Sequence, residues 1–253
     1  MQFMNILSFI IIGFFGNSLA AIHNSTVPPY VHQCIENDPE IEKCAIVALH
    51  HIRPYLKAGI PEIEMPKVEP FRIDSLSLAL TTGPNGYKIT LRNLDIFGAS
   101  NYTIKKLKLS KNGSPVEAKV HFPKMKIDAK YTSSGVLIIL PASGNGTFHA
   151  DFTDVYALVR VAVSHFERDN LNWYNADKME IDLKITQAHM AVKNIFNNNR
   201  ILNEAINLFL RENGEEVIRI MMPQLRTKLA GVFKKIANQL LKHVNLETFL
   251  KSA

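Results

Sequence analysis

Between Phe71 and about Lys193 the apolar residues recur at every second position. Val116, Ala118, Val120 and Phe122 alternate with Glu117, Lys119 and His121. Met125, Ile127, Ala129 and Tyr131 then alternate with Lys126, Asp128 and Lys130. Val155, Ala157, Val159, Val161 and Val163 form one later row, and Met179, Ile181, Leu183 and Ile185 another. Successive side chains of a strand point to opposite faces, so each run predicts a strand with one dry and one wet face. Such strands belong to antiparallel sheets with short connections. Turn clusters at Gly83-Pro84-Asn85-Gly86, Lys111-Asn112-Gly113 and Ser143-Gly144-Asn145-Gly146 separate the runs.

Helical spacing occupies the two ends. Asp38-Pro39-Glu40 offers a capping carboxylate, a proline for the first helical position and an acid for the first turn. Ile41, Cys44, Ala45, Ala48, Leu49 and Ile52 follow at helical spacing. Pro54 predicts a kink or an end, and Gly59 suits a C-terminal cap. From Asn199 to about Leu241 the pattern is helical again. A straight helix of that span would run about 64 Å, whereas a compact globule of this chain length is about 45 Å across. Asn213-Gly214 predicts a break and Pro223 a kink. Past the break, Val217, Met221, Leu225, Leu229, Val232, Ile236 and Leu240 make one stripe, widened by Met222 and Phe233. A stripe that broad demands a sheet curled around the helix. Between the first helix and the strands lies "GIPEIEMPKVEP" (Gly59 to Pro70), whose three prolines exclude both helix interior and central strand. Read as a strap near polyproline II, it would carry the chain about 37 Å along the outside. Curled sheet, long helix and strap together predict an elongated, hollow-cored molecule.

The N-terminal apolar run from Ile6 to Phe15 is too short to span a bilayer, and Ser18 and Ala20 are the small residues a signal peptidase needs. We therefore expect a signal peptide over residues 1–20, cleaved after Ala20, and one secreted domain over 21–253. In an oxidising compartment the two cysteines, Cys34 and Cys44, are expected to pair. Sequons at Asn24, Asn101, Asn112 and Asn145 fit the same compartment, with Pro115 impairing the third. A net charge of +6 is modest and the basic residues are scattered among acids. With no recognition module, nucleic acid is excluded as a partner.

Three stretches then identify a resemblance. Cys34 and Cys44 flank the start of a helix; "LKAGIPEIEMPKVEPFRIDSL" (Leu56 to Leu76) leads from a Gly-Ile-Pro-Glu strap into a strand; and "NIFNNNRILNEAINLFLRENGEEVIRIMMPQL" (Asn194 to Leu225) carries an asparagine-rich signature before a later proline. In order and spacing these resemble the takeout and juvenile hormone binding protein family of insects, over essentially the whole mature chain. Asn198 stands where that family usually has Gly, Arg211 where Asn is usual, and Gly214 where Trp is common. The tail "HVNLETFL" lacks the proline often found there. The resemblance implies an α+β fold, a highly curved antiparallel sheet wrapped around a long C-terminal helix and enclosing an apolar tunnel. It also implies a small hydrophobic ligand such as juvenile hormone, a fatty acid or a related terpenoid. Tunnel-lining candidates are Phe122, Ile127, Phe152 and Val159 on strands, with Phe209, Leu225, Leu229 and Phe233 on the helix. Tyr87, Tyr131 or Tyr156 could supply an orienting hydroxyl.

No enzyme motif is present: the chain lacks G-x-S-x-G, H-E-x-x-H and a P-loop. His50 and His51 are adjacent and point about 100° apart on a helix, so they cannot chelate together. His149 with Asp151 would share a strand face, but reads as outward polar decoration. Trp173 reads as core or rim packing. We expect no catalytic residue, no metal and no cofactor, and a monomer. Two other readings compete with the carrier: a lipid-transfer protein contacting a membrane surface through its basic residues, and a secreted signalling protein contacting a receptor, with a purely structural core.

Overall fold

A computed structural model describes residues 27–251, apart from 80, 82, 84–85, 111–113, 138–139, 142 and 195–198. The expected signal peptide and the sequons at Asn24 and Asn112 lie outside the described residues. In chain order the elements are β1 (Cys34–Ile35), α1 (Ile41–His51), α2 (Arg53–Ala58), a 3-10 turn (Pro61–Ile63), β2 (Phe71–Ala79), β3 (Lys88–Phe97), a second 3-10 turn (Ala99–Asn101), β4 (Thr103–Leu109), β5 (Val116–Ser134), β6 (Val136–Leu137), β7 (Leu140–Pro141), β8 (Gly144–Arg168), β9 (Leu171–Val192), α3 (Arg200–Glu212), α4 (Gly214–Leu241), α5 (Leu246–Phe249) and β10 (Leu250–Lys251). One antiparallel sheet runs β2-β3-β5-β8-β9, with β4 pairing the first half of β5.

The three longest strands share a defect that curls the sheet. On β5 the inward positions are 116, 118, 120 and 122, then 125, 127, 129 and 131; two exposed residues, Pro123 and Lys124, fall between. β8 makes the same change between Phe152 and Val155, and β9 between Ile185 and Ala188. Phe122 pairs with Val155 and Val155 with Ile185; Met125 pairs with Phe152 and Phe152 with Ala188. The phase change thus crosses three strands at one level. Asp154 there holds φ +53°, and its Oδ1 meets His121 Nε2 at 2.8 Å while its carbonyl accepts from Thr186 Oγ1 at 3.0 Å. Inserting an outward pair in every strand keeps the apolar rows on one concave side while the sheet bends. Below, we call residues 116–122 of β5 and their partners the upper half.

Long helices close the sheet's margins. Gln224 of α4 donates to Ala79 O at 2.6 Å and accepts from Ala79 N at 3.0 Å. Asn238 clasps Ala176 on β9 in the same way, at 3.0 and 2.7 Å. Asn207 of α3 does so at Val192, at 2.8 Å each way. A carboxamide both donates and accepts, so each satisfies both backbone groups of an edge residue at once. The edge of β4 is covered by α1: His50 Nε2 accepts from Ile104 N at 2.9 Å and Glu42 Oε1 from Leu109 N at 2.8 Å. His50 thus braces the edge, and the exposed His51 meets Pro29 O through Nε2 at 2.8 Å.

The expected helix divisions hold closely. α3 ends at Glu212, α4 starts at Gly214, and Pro223 sits inside α4. Pro54 starts a second short helix, α2, which Gly59 ends at φ +87°. The strap is different from the expectation. Ile60 and Met65 bridge each other through N–H···O bonds of 2.9 and 3.0 Å, around the 3-10 turn and Glu64 at φ +53°. Gly59–Pro70 is thus a folded knot, not an extended strap. Polyproline II leaves its backbone to water, whereas Ile60, Ile63 and Met65 are buried with Tyr30, Val31, Ile52 and Val244. A segment enters a core only when its backbone groups find partners. Gln239 of α4 holds it by donating to Ile63 O at 2.9 Å. Cys34 and Cys44 form the expected disulfide, with Cα atoms 5.8 Å apart, and β1 lies parallel to β10, so the bridge secures the segment that meets the C-terminus.

Candidate functional site

The concave side is built in two different ways. In the lower half it is solid. Leu225, Leu229, Val232 and Ile236 of α4 pack on Phe71, Ile73, Leu94, Ile96, Ala129 and Tyr131, while Val217 and Ile218 pack on Ala150, Ala188 and Met190. In the upper half, Ala118, Val120 and Phe122 of β5, Val159 and Val161 of β8, and Met179 and Leu183 of β9 share the concave side through their register. These are only half-buried, and none belongs to the three packed cores, while Val155, Ala157 and Ile181 between them are buried. Apolar side chains that point inward yet stay partly accessible form a greasy wall.

The candidates from sequence divide accordingly. Phe122 and Val159 lie on this wall; Phe122 meets the Tyr102 ring edge-on at 6.3 Å. Phe233 reaches the same side from α4, 37% exposed and stacked on Phe71 at 5.8 Å. Ile127, Phe152, Leu225 and Leu229 belong to the lower cores. Phe209 is 43% exposed on α3 and joins no core. Tyr156 lies on the outer face, stacked on His121 at 4.6 Å with Lys119 Nζ 5.5 Å from its ring centre. Its register explains this: neighbouring Val155 and Ala157 take the inward positions.

The other two tyrosines are in the lower core. Tyr131 is 1% exposed, and its hydroxyl donates to Lys193 O at 2.7 Å. Burial, with Tyr87 close by, pushes its pKa up to about 12. That hydroxyl is committed to the fold. Tyr87 is equally enclosed; burial raises its pKa, while the Ser133 hydroxyl works in the opposite sense. Tyr102 is also pushed to about 12 by burial, with Arg53 countering, and its hydroxyl donates to Leu49 O. Ala118, Val120, Val161, Met179 and Leu183 were not among the candidates. Their alternation marked them as inward, but only the register across β5, β8 and β9 shows that they face one another beyond the packed cores.

A cleft lies on the flank. Leu183, Lys184 and Ile185 of β9 and Glu215, Glu216, Ile218, Arg219, Met222, Pro223 and Arg226 of α4 line a cleft of about 490 Å³. Its floor is apolar and its rim charged.

On the outer face, His149 Nδ1 meets Asp128 Oδ1 at 2.6 Å, which holds the Asp128 carboxyl below its usual range. Trp173 packs at the β8–β9 hairpin, donating to Arg168 O at 3.2 Å under the Arg168 guanidinium. Among the described residues no three His, Cys, Asp or Glu side chains gather as metal ligands, and no helix is long and apolar enough to cross a membrane.

The sequence profile of the haemolymph juvenile hormone binding protein family matches residues 10–251. The circadian clock-controlled protein daywake of Drosophila melanogaster is 22% identical over 218 residues, 83% of this chain and 84% of that protein. Its Drosophila yakuba counterpart is 21% identical over 221 residues, with the same coverage. In three dimensions the chain matches Epiphyas postvittana Takeout 1 with a TM-score of 0.74 at 19% identity, covering 87% of this chain and 100% of that one.

Proposed function

The chain belongs to the haemolymph juvenile hormone binding protein family, and from that premise we propose that it is a secreted, monomeric carrier of a small hydrophobic ligand held against the upper concave wall. One observation carries the reading: a row of half-buried apolar side chains from β5, β8 and β9 that the three cores leave uncovered. Hydrocarbon placed there replaces water at an apolar surface. A chain of about fifteen carbons gains roughly 12 kcal/mol gross, at about 0.8 kcal/mol per methylene. Immobilisation removes several kcal/mol, leaving affinities from micromolar to nanomolar. No reaction is needed, so the ligand leaves unchanged. Secretion is supported by the Cys34–Cys44 bridge and by the exposure of Asn101 and Asn145.

Native mass spectrometry with solvent extraction of the glycosylated protein from insect-cell medium tests this. A stoichiometric apolar passenger on a monomer, displaced by juvenile hormone or a fatty acid, is the expected result. A protein without passenger that also fails to bind a fluorescent fatty acid would instead point to recognition by its outer surface.

A further inference from the structure

The wall must be reachable from outside, and most of the molecule's margins are fastened. β2 is clasped by Gln224, β9 by Asn238 near one end and Asn207 at the other, and β4 is covered by α1. The knot closes a further core around Ile60, Ile63 and Met65. One stretch of the α4–β9 seam stands apart. At one limit Gly214 approaches so closely that a side-chain carbon there would sit 2.6 Å from Ala188 O. At the other, Arg226 donates to Asp182 at 2.5 Å. Among the described residues no hydrogen bond or ion pair joins helix to strand between these points; apolar packing alone holds the seam there, with Val217, Ile218, Met221 and Met222 against Ala188 and Ile185, and the parting runs from Ile185 toward Asp182. The stretch spans about 18 Å of helix and about 20 Å of strand, so the two sides match.

Three features of this window fit a mouth. The 490 Å³ cleft lies in it. Leu183 and Ile185 line the cleft and also hold inward positions opposite Ala157 and Val155. A molecule in the cleft therefore touches the side chains that bound the concave side. Finally, Pro223 lies within the window. Proline has no N–H, so Arg219 O loses its helical donor and α4 can bend there at lower cost than elsewhere. Arg226, three residues on, is the first charged clasp beyond this weak point.

We propose that the α4–β9 window is the lateral mouth through which a slender, single-chain apolar ligand passes to the concave wall, with Pro223 as hinge and the Arg226–Asp182 ion pair as latch. This rests on the carrier reading above. A latch of this kind governs rates. Both partners are about half exposed, so the pair contributes modestly and is weakened by salt.

The test is stopped-flow release of the fluorescent fatty acid cis-parinaric acid from the full-length secreted protein. Asp182→Ala and Arg226→Ala should each speed release about twofold to fivefold. Added salt should speed release from the unaltered protein but not from Arg226→Ala. The reversed pair, Asp182→Arg with Arg226→Asp, should restore slow release, and Pro223→Ala should slow it further. Probe binding with the same release rate in every variant overturns the mouth but leaves the carrier standing. Absence of binding by the unaltered protein overturns both.

Discussion

At the scale of single residues, the molecule uses polar side chains chiefly to finish backbone that the sheet leaves unpaired. His50 does this with a group that titrates. Its ring accepts the Ile104 N–H, and only a neutral imidazole nitrogen can accept. Burial first, and Arg53 second, lower its pKa below the usual 6.5. The unfolded chain therefore takes up the proton more readily than the folded one. The bond's contribution is complete above pH 6.5 and declines as pH falls below it. The amide of Ile104 should accordingly lose hydrogen-exchange protection, corrected for intrinsic rate, between pH 7 and pH 5. In His50→Gln, whose carbonyl accepts at any pH, that loss should vanish. Equal loss in both proteins would mean that the α1–β4 contact opens for another reason. Such roles are hard to read in a sequence, because His50 differs from a surface histidine only in what a distant strand edge presents to it.

At the scale of elements, most of the architecture was legible and the exceptions have physical causes. Alternation located the long strands, and their change of phase was already written in Phe122-Pro123-Lys124-Met125. That three strands change phase at one level was not, since only pairing aligns Phe122 with Val155 and Ile185. The knot was misread because proline spacing restricts torsions without stating whether the chain closes on itself. Gly214 adds a different lesson. Where the resemblance leads one to expect tryptophan, glycine lets the α4 backbone come against the Ala188 carbonyl. Gly214→Ala should therefore destabilise the fold although alanine favours helices. Displacing backbone by a methyl group costs about 1–3 kcal/mol, which for a domain of this size lowers Tm by roughly 3–10 °C. Thermal unfolding of this variant beside Gly231→Ala, where an added carbon meets nothing within 4 Å, provides the comparison. Equal Tm values would show that helix and strand separate without cost.

At the scale of the whole molecule, the question is which part of the concave side is core and which is wall. Sequence could not separate them, because an inward apolar residue has the same spacing in both. Hence Ile127, Phe152, Leu225 and Leu229 were grouped with Phe122 and Val159, although packing places the first four with the cores and leaves the last two outside them. Opposite responses to added volume distinguish the two. Ala129 is 7% exposed inside the first core, so Ala129→Phe must force its neighbours apart, at about 1–3 kcal/mol or more. Ala118 faces Val159 across the register and is only half-buried. Ala118→Phe should occupy the space assigned to the ligand, leaving Tm within a few degrees while weakening probe binding at least tenfold. The measurement pairs thermal unfolding of the delipidated variants with equilibrium titration of a fluorescent fatty acid. Severe destabilisation by both substitutions would make the upper half ordinary core. Stable folding of Ala118→Phe with undiminished binding would move the ligand off this wall. A cheap insertion that abolishes binding is the behaviour of a carrier whose interior is finished only when its passenger is in place.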